Sequence, residues 1–208
     1  MSEATWFNQL HREWRALQNH DTALDIEKFY RHVMSAHKSG FASLEAIATT
    51  ANALLLSSIP GAPFLGRKMF EQVGINKHPS LRVAYALSLF AGTGGDADPE
   101  LANRTLLDVL KDDNAQDALK GLAAAALGDS ARLGRATEVD IEEAKRYYEI
   151  AYEFGNVGAA RNLWLYWDAR WGIAAAADKL PDRTRAASWY KRAEPKPKVN
   201  GNLQIAPG

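Results

Sequence analysis

Two features that many functional classes need are missing from this sequence. Cysteine does not occur among the 208 residues, which excludes disulfide bonds, thiolate metal ligands and a cysteine nucleophile. Neither sign of charge is in excess, because 25 Lys and Arg residues balance 25 Asp and Glu residues. The chain as a whole therefore exerts no net electrostatic pull on nucleic acid or on an anionic membrane, and we expect neither as a partner.

Long apolar runs are also missing. The most apolar stretch, Ala46–Ile59, is interrupted by threonine, asparagine and serine and is too short to cross a bilayer. Met1–Leu17 carries charged side chains and lacks the uninterrupted apolar core of a signal peptide. We therefore expect a cytoplasmic protein, and the lack of cysteine is compatible with that location.

What the sequence has instead is helical periodicity. Apolar residues recur every three to four positions, and no segment alternates with the period of two that is typical of a half-buried strand. Glycine and proline separate the periodic segments, as at Gly40 and Gly74. An all-α fold is predicted, and residues 1–79 are expected to form helical pairs that are either degenerate repeats or a separate cap. The four helices predicted there are about Ser2–Asn19, Asp21 or Thr22 to Lys38, Phe41–Ser58 and Phe64–Val73.

The stretch Leu127–Asn156 has the residues of a complete helix-turn-helix unit. Its small side chains permit close contact between two helices, its tyrosines fill the space between them, and Gly155 can end the second helix in a left-handed conformation. The residues of this series are Leu127, Gly128, Gly134, Asp140, Ala144, Tyr147, Tyr148, Ala151, Gly155 and Asn156.

Weaker copies of the series stand on both sides of it. The copy on the N-terminal side lies 42 residues earlier and has Thr105–Leu106 in place of the tyrosine pair. On the C-terminal side Asp182 lies 42 residues after Asp140, whereas Leu163 lies only 36 residues after its counterpart. Six extra residues are therefore expected inside the third unit, near Ala174–Leu180. The other residues of the two copies are Gly92, Gly94, Asp98, Ala102, Asp113, Asn114, Trp167, Gly172, Ala186, Trp189, Tyr190 and Ala193.

This pattern resembles the Sel-one-like repeat (SLR) family, a relative of the tetratricopeptide repeat. The resemblance covers roughly Ser80–Glu194, and it departs from the family at Trp164 and Arg170, where the family usually has glycine. It implies that antiparallel helix pairs stack into a right-handed α/α superhelix, or solenoid. The predicted domains are 1–79 with the N-terminal helical pairs, 80–194 with an array of about three repeats, and 195–208 with an extended or mobile tail.

The resemblance also implies where a protein partner binds, because the first helices of such pairs line a concave face. By analogy of register, seven residues of the predicted first helices point toward this groove. Three further residues belong to the densest aromatic cluster, and aromatic and arginine side chains are enriched at binding hot spots. The alternative for the two extra tryptophans, Trp164 and Trp171, is that they fill space left at the terminal position or are covered by the C-terminal tail. The predicted partner-binding residues are Leu87, Phe90, Asp129, Arg132, Arg161, Leu165 and Asp168 by register, and Trp164, Arg170 and Trp171 by composition.

Charged side chains are segregated, with an acidic excess in residues 96–117 and a basic excess in residues 182–198. This polarity could steer a partner into one orientation, and the alternative is a pair of solvated helix faces. Histidines do not occur at the i, i+4 spacing of a helical zinc site, and no nucleophile elbow or phosphate-binding loop is present. No catalytic residue, cofactor or metal is therefore predicted.

The sequence favours a non-enzymatic scaffold or adaptor that holds a protein partner in its concave groove. One form of this hypothesis is a bacterial immunity or regulatory protein whose partner is a secreted effector or a secretion component. Two alternatives remain open. One is a small-ligand protein or enzyme with a pocket between the N-terminal helices and the first repeat, near Tyr30, His32, His37 and Tyr85. The other is a homo-oligomer whose partner is a second copy.

Overall fold

A computed structural model describes residues 3–20, 23–74, 78–168 and 182–193. Within these residues every regular element is an α-helix, so the prediction of an all-α fold is confirmed. The helices are α1 (Glu3–His20), α2 (Ala23–Lys38), α3 (Leu44–Leu55), α4 (Ala62–Val73), α5 (Pro79–Ala91), α6 (Pro99–Lys111), α7 (Asp117–Leu133), α8 (Ile141–Glu153), α9 (Ala159–Trp167) and α10 (Arg183–Ala193).

The helices pack as consecutive pairs, as the solenoid prediction requires. Helix α3 packs on α4, α5 on α6, α7 on α8 and α9 on α10. The first helices also contact one another across pairs, because α3 touches α5 and α5 touches α7. Such contacts between neighbouring units are what holds a helical-repeat array together and gives it a continuous surface.

Residues before the recognisable repeats share the same apolar core. One cluster of buried side chains extends from Trp6 in α1 to Leu127 in α7, and a second surrounds Tyr148 and Leu163. The pair α3/α4 therefore packs against the repeats through a shared apolar core. In the described part of the chain, no helix has both the length and the apolarity needed to cross a membrane.

Three predicted helix boundaries in this region were wrong. Helix α3 ends at Leu55, three residues before the predicted Ser58, and local structure explains the two helix starts that differ. Helix α3 begins three residues later than predicted, because the Ser43 hydroxyl accepts a hydrogen bond from the backbone N–H of Ala46 at 3.2 Å and caps the helix there. Helix α4 begins two residues earlier than predicted, with Gly61 in a left-handed conformation at φ 79° and Pro63 in the first turn.

The residues that recur every 42 positions in the sequence include the N-terminal cap of the second helix of each pair. Asp98, Asp140 and Asp182 each precede a second helix, and each carboxylate Oδ1 accepts a hydrogen bond from the backbone N–H three residues later, at 2.9, 2.8 and 3.0 Å respectively. A side-chain acceptor at this position satisfies one of the backbone donors that the first helical turn leaves unpaired. The repeated aspartate thus fixes where the second helix of each unit begins.

The same aspartates close the turn from the first helix. The backbone N–H of Asp140 donates to the carbonyl of Ala131 at 2.9 Å, and that of Asp182 donates to the carbonyl of Trp167 at 3.0 Å. The two residues of the first pair are nine positions apart and those of the second pair are fifteen apart, so the six extra residues of the third unit lie between Trp167 and Asp182. The predicted location Ala174–Leu180 is outside the described residues, as are the tail 195–208 and the predicted binding residues Arg170 and Trp171.

Candidate functional site

The first helices α3, α5 and α7 form an open groove of about 520 Å³, called here the leucine groove. One strongly exposed leucine comes from each helix: Leu56, directly after α3, is 80% exposed, Leu87 in α5 is 46% exposed and Leu122 in α7 is 50% exposed. The other lining residues are small, aliphatic or neutral polar, and none of the lining residues carries a charge. The groove is therefore an apolar surface open to solvent.

Helical periodicity explains why these leucines are exposed. In α5 the lining residues Ser80, Val83, Ala84, Leu87 and Ala91 follow the three-to-four-residue period of one helix face. The opposite face of the same helix carries the core residues Leu81, Tyr85 and Leu89. Helix α5 is thus apolar on both sides, and only one of them is covered by the rest of the described chain.

The residues predicted to bind a partner are distributed over several environments. Leu87 lines the leucine groove, whereas Phe90 is buried with the guanidinium of Arg135 over its ring at 5.4 Å. Arg161 is exposed near the start of α9, and Leu165 and Asp168 are half-buried at its end.

Asp129 and Arg132, also predicted to face the groove, make contacts inside their own unit. The Tyr148 hydroxyl from α8 donates to Asp129 Oδ1 at 2.6 Å, and Arg132 Nε donates to the Tyr148 hydroxyl oxygen at 3.3 Å. Burial of Tyr148, followed by its hydrogen bond to the Asp129 carboxylate, raises its pKa well above the ordinary tyrosine value. These three side chains fasten α7 to α8, and the Asp129 side chain is still 45% exposed.

Trp164 packs within the terminal pair, as the alternative interpretation of this residue expects. Its ring meets the ring of Tyr190 at 5.3 Å between centroids and 70° between planes, an edge-to-face contact between α9 and α10. A T-shaped contact at 5.1 Å likewise joins Trp189 of α10 to Tyr152 of α8.

Cation–aromatic contacts at this end of the array were not predicted. The guanidinium of Arg185 lies over the Trp167 ring and that of Arg192 lies over the Trp189 ring, each 4.5 Å from the ring centroid. Trp189 and Arg192 are three residues apart in one helix, a spacing from which this contact could have been predicted. No local spacing indicates the contact between Arg185 and Trp167, because it depends on how α10 folds back on α9.

The four residues proposed to line a small-ligand pocket, Tyr30, His32, His37 and Tyr85, each contact a different neighbouring residue. The Tyr30 hydroxyl donates to Gln72 Oε1 at 2.6 Å, and the Tyr85 hydroxyl donates to Glu71 Oε1 at 3.3 Å. His32 Nδ1 lies 2.9 Å from a carboxylate oxygen of Glu13 in α1. His37 Nδ1 lies 3.4 Å from the backbone carbonyl oxygen of Ala42. The four side chains thus have four different neighbours, and these contacts give them no common point for a ligand. Among the described residues no group of three or more His, Asp or Glu side chains is placed to hold a metal ion.

No protein-family model and no curated protein matches the sequence. A comparison with solved structures finds similarity to a Sel1 repeat protein from Oxalobacter formigenes, with 20% sequence identity and a TM-score of 0.47. The similarity covers 81% of this chain and 83% of that chain. That protein carries the name of the repeat family that the signature of Leu127–Asn156 resembles.

Proposed function

We propose that this chain is a non-enzymatic interaction scaffold that holds an apolar segment of a protein partner in the leucine groove. The observation that carries the proposal is the exposure of three leucines, from three successive first helices, in one uncharged groove. Apolar patches exposed in this way mark interaction sites, and because full burial of a leucine is worth about 1.5–3 kcal/mol, covering a half-exposed leucine contributes about half of that.

An amphipathic helix is the partner segment that fits the groove best. Packed helices lie about 8–10 Å apart, so leucines from neighbouring first helices are presented at about that interval. Apolar residues at positions i and i+7 of a helix are about 10.5 Å apart and lie on one face. The absence of charge among the lining residues favours a neutral apolar face over a charged one.

A matched pair of leucines tests the groove. Leu87 is 46% exposed inside the groove, and Leu133, at the end of α7 and outside the lining, is 45% exposed. A displayed library of amphipathic helices is selected on the intact wild-type chain, and the selected peptides are then titrated against Leu87→Glu and Leu133→Glu. A carboxylate placed in the groove should weaken binding about tenfold or more, because it must be desolvated opposite an apolar face.

The control should retain wild-type affinity, since Leu133 does not line the groove. Equal affinity of both variants would remove the groove from the proposal, and a selection that yields no binding helix would remove the helical partner. Light scattering at several concentrations separates the remaining occupant, a second copy of this chain, from a monomer.

The resemblance to the SLR family supports a finer proposal, in which the chain is a bacterial adaptor, immunity or regulatory protein for a secreted effector or a secretion component. The product of a neighbouring effector or secretion gene should then copurify with this chain in a fixed ratio, and Leu87→Glu should abolish the copurification. A neighbouring product that binds Leu87→Glu as well as wild type contradicts this assignment. Arg161, Leu165 and Asp168 remain predicted contacts for a partner that extends beyond α7.

A further inference from the structure

The last described helix differs in charge from the leucine groove. Helix α10 carries four cationic side chains and no carboxylate between Arg183 and Ala193. Ala186 is its buried residue, and most of its other side chains are exposed. The cationic side chains are Arg183, Arg185, Lys191 and Arg192.

Two of these arginines are held in place by tryptophan rings. Arg185 lies over Trp167 and Arg192 over Trp189, both at 4.5 Å, and Arg192 also lies 5.8 Å from the ring centroid of Tyr152. A guanidinium that packs on an aromatic face still has N–H groups along its edge that can donate hydrogen bonds. Because the side chain is already ordered, it loses less conformational entropy when it binds an anion.

Arg185 and Arg192 also share one side of the helix. They are seven residues apart, which places them nearly in line, about 10.5 Å apart along the axis. Arg185 also forms an ion pair with Asp182, whose Oδ2 lies 3.4 Å from Arg185 Nε. That contact engages Nε, and within the described residues the two terminal nitrogens of the guanidinium can donate to a further acceptor.

We propose that α10 is a second interaction surface, which binds an acidic segment of a protein partner through Arg185 and Arg192. Each guanidinium binds one carboxylate, and the ideal partner presents carboxylates about 10 Å apart, as at positions i and i+7 of a helix. The charge of the helix supplies the complementarity, since four cations face outward without a carboxylate on the same element. This surface is independent of the leucine groove.

The arginines that cover the two tryptophan rings favour an acidic protein over single-stranded nucleic acid as the partner. Proteins that bind single strands stack bases on open aromatic faces. On this surface a guanidinium group already covers one face of Trp167 and one face of Trp189, which reduces the area on which a base could stack. The groups presented to a partner are therefore hydrogen-bond donors, which suit carboxylates.

Charge-conserving variants of the full chain test the proposal. The probe is a labelled helical peptide with glutamates at positions i and i+7, titrated by fluorescence anisotropy, alongside an isomer with the same glutamates adjacent. Replacing both stacked arginines, as Arg185→Lys and Arg192→Lys, retains the charge and removes the planar group, so affinity for the spaced peptide should fall about tenfold. The matched control is Arg183→Lys with Arg104→Lys, both exposed arginines outside the two tryptophan contacts, and it should stay within about twofold of wild type.

Three results would overturn the proposal. The first is an equal loss of affinity in the control, which indicates that binding does not depend specifically on the two arginines held by tryptophan rings. The second is tighter binding of oligodeoxythymidine than of the spaced peptide, which indicates a nucleic-acid surface. The third is equal binding of the two peptide isomers or no binding of either. Leu87→Glu should bind the spaced peptide as wild type does, so the failure of the groove and the failure of this surface are distinguishable.

Discussion

The central pair α7/α8 and the terminal pair α9/α10 each have a tyrosine at the equivalent position of the second helix, and the two tyrosines lie in opposite environments. Tyr148 in the central pair is completely buried, and Gly128 leaves the room for its ring, because a Cβ atom there would lie 2.8 Å from Tyr148 Cε1. In the terminal pair Trp164 occupies the position of that glycine, and Tyr190, the counterpart of Tyr148, is 46% exposed.

The difference shows how one substitution changes the way a helix pair is held together. Between α7 and α8 a glycine and a tyrosine interlock, and the tyrosine hydroxyl is bound by Asp129 and Arg132. Between α9 and α10 the contact is edge-to-face between two large rings, and cations cover the neighbouring tryptophans. The central pair is built for close packing, and the terminal pair presents aromatic and cationic groups at the surface.

The largest expected effect comes from giving the central pair the residue of the terminal pair. Gly128→Trp should lower the free energy of unfolding by about 3 kcal/mol or more, because the new side chain collides with the buried Tyr148 ring. Urea unfolding followed by circular dichroism measures the loss. Leu133→Trp, an exposed change in the same helix, should alter stability by about 0.5 kcal/mol or less. Equal stability of the two variants would show that α7 and α8 are not closely packed at Gly128.

A smaller effect is expected from removing the two equivalent hydroxyls. Tyr148→Phe should destabilise the chain by about 1 kcal/mol, since it removes the hydrogen bonds to Asp129 and Arg132 while the partly exposed carboxylate regains water. Tyr190→Phe should change stability by only a few tenths of a kcal/mol, as for an exposed side chain. A larger loss for Tyr190→Phe than for Tyr148→Phe would reverse the comparison.

The smallest expected effect is a decrease in the free energy of unfolding at alkaline pH. Burial raises the pKa of Tyr148 in the folded chain above the value near 10 that it has when unfolded. Its contribution to stability is therefore complete below about pH 10 and declines as the pH rises further, because the unfolded state loses the proton first. The free energy of unfolding of wild type should fall more steeply above that pH than that of Tyr148→Phe. Parallel pH profiles for the two proteins would contradict the buried assignment of this hydroxyl.

The parts of the fold that could be predicted are those that repeated residue types encode. The spacing of Asp98, Asp140 and Asp182 predicted equivalent positions, and the structure shows that each is a helix cap. The six extra residues followed from the same comparison, because Leu163 kept the register of the first helix while Asp182 kept that of the second.

The candidate site was harder to predict, because it depends on which helix faces meet. Leu56 and Leu122 were missed, since periodicity does not distinguish an apolar face that is covered from one that stays open. Helix α3 lies before Ser80, outside the stretch that carries the repeat signature, and no repeat signature indicated that it supplies one side of the groove. Asp129 was assigned to the groove by register, and the register could not show that Tyr148 from the neighbouring helix reaches its carboxylate.

The central claim is that the first helices bind a partner segment in the leucine groove. It is tested most directly by recording amide NMR spectra of the intact chain while a selected amphipathic helix is added. The account predicts that the largest shifts cluster around Leu56, Leu87 and Leu122, with α8 and α10 little changed. Shifts concentrated on α8 or α10, with those three leucines unaffected, would contradict it.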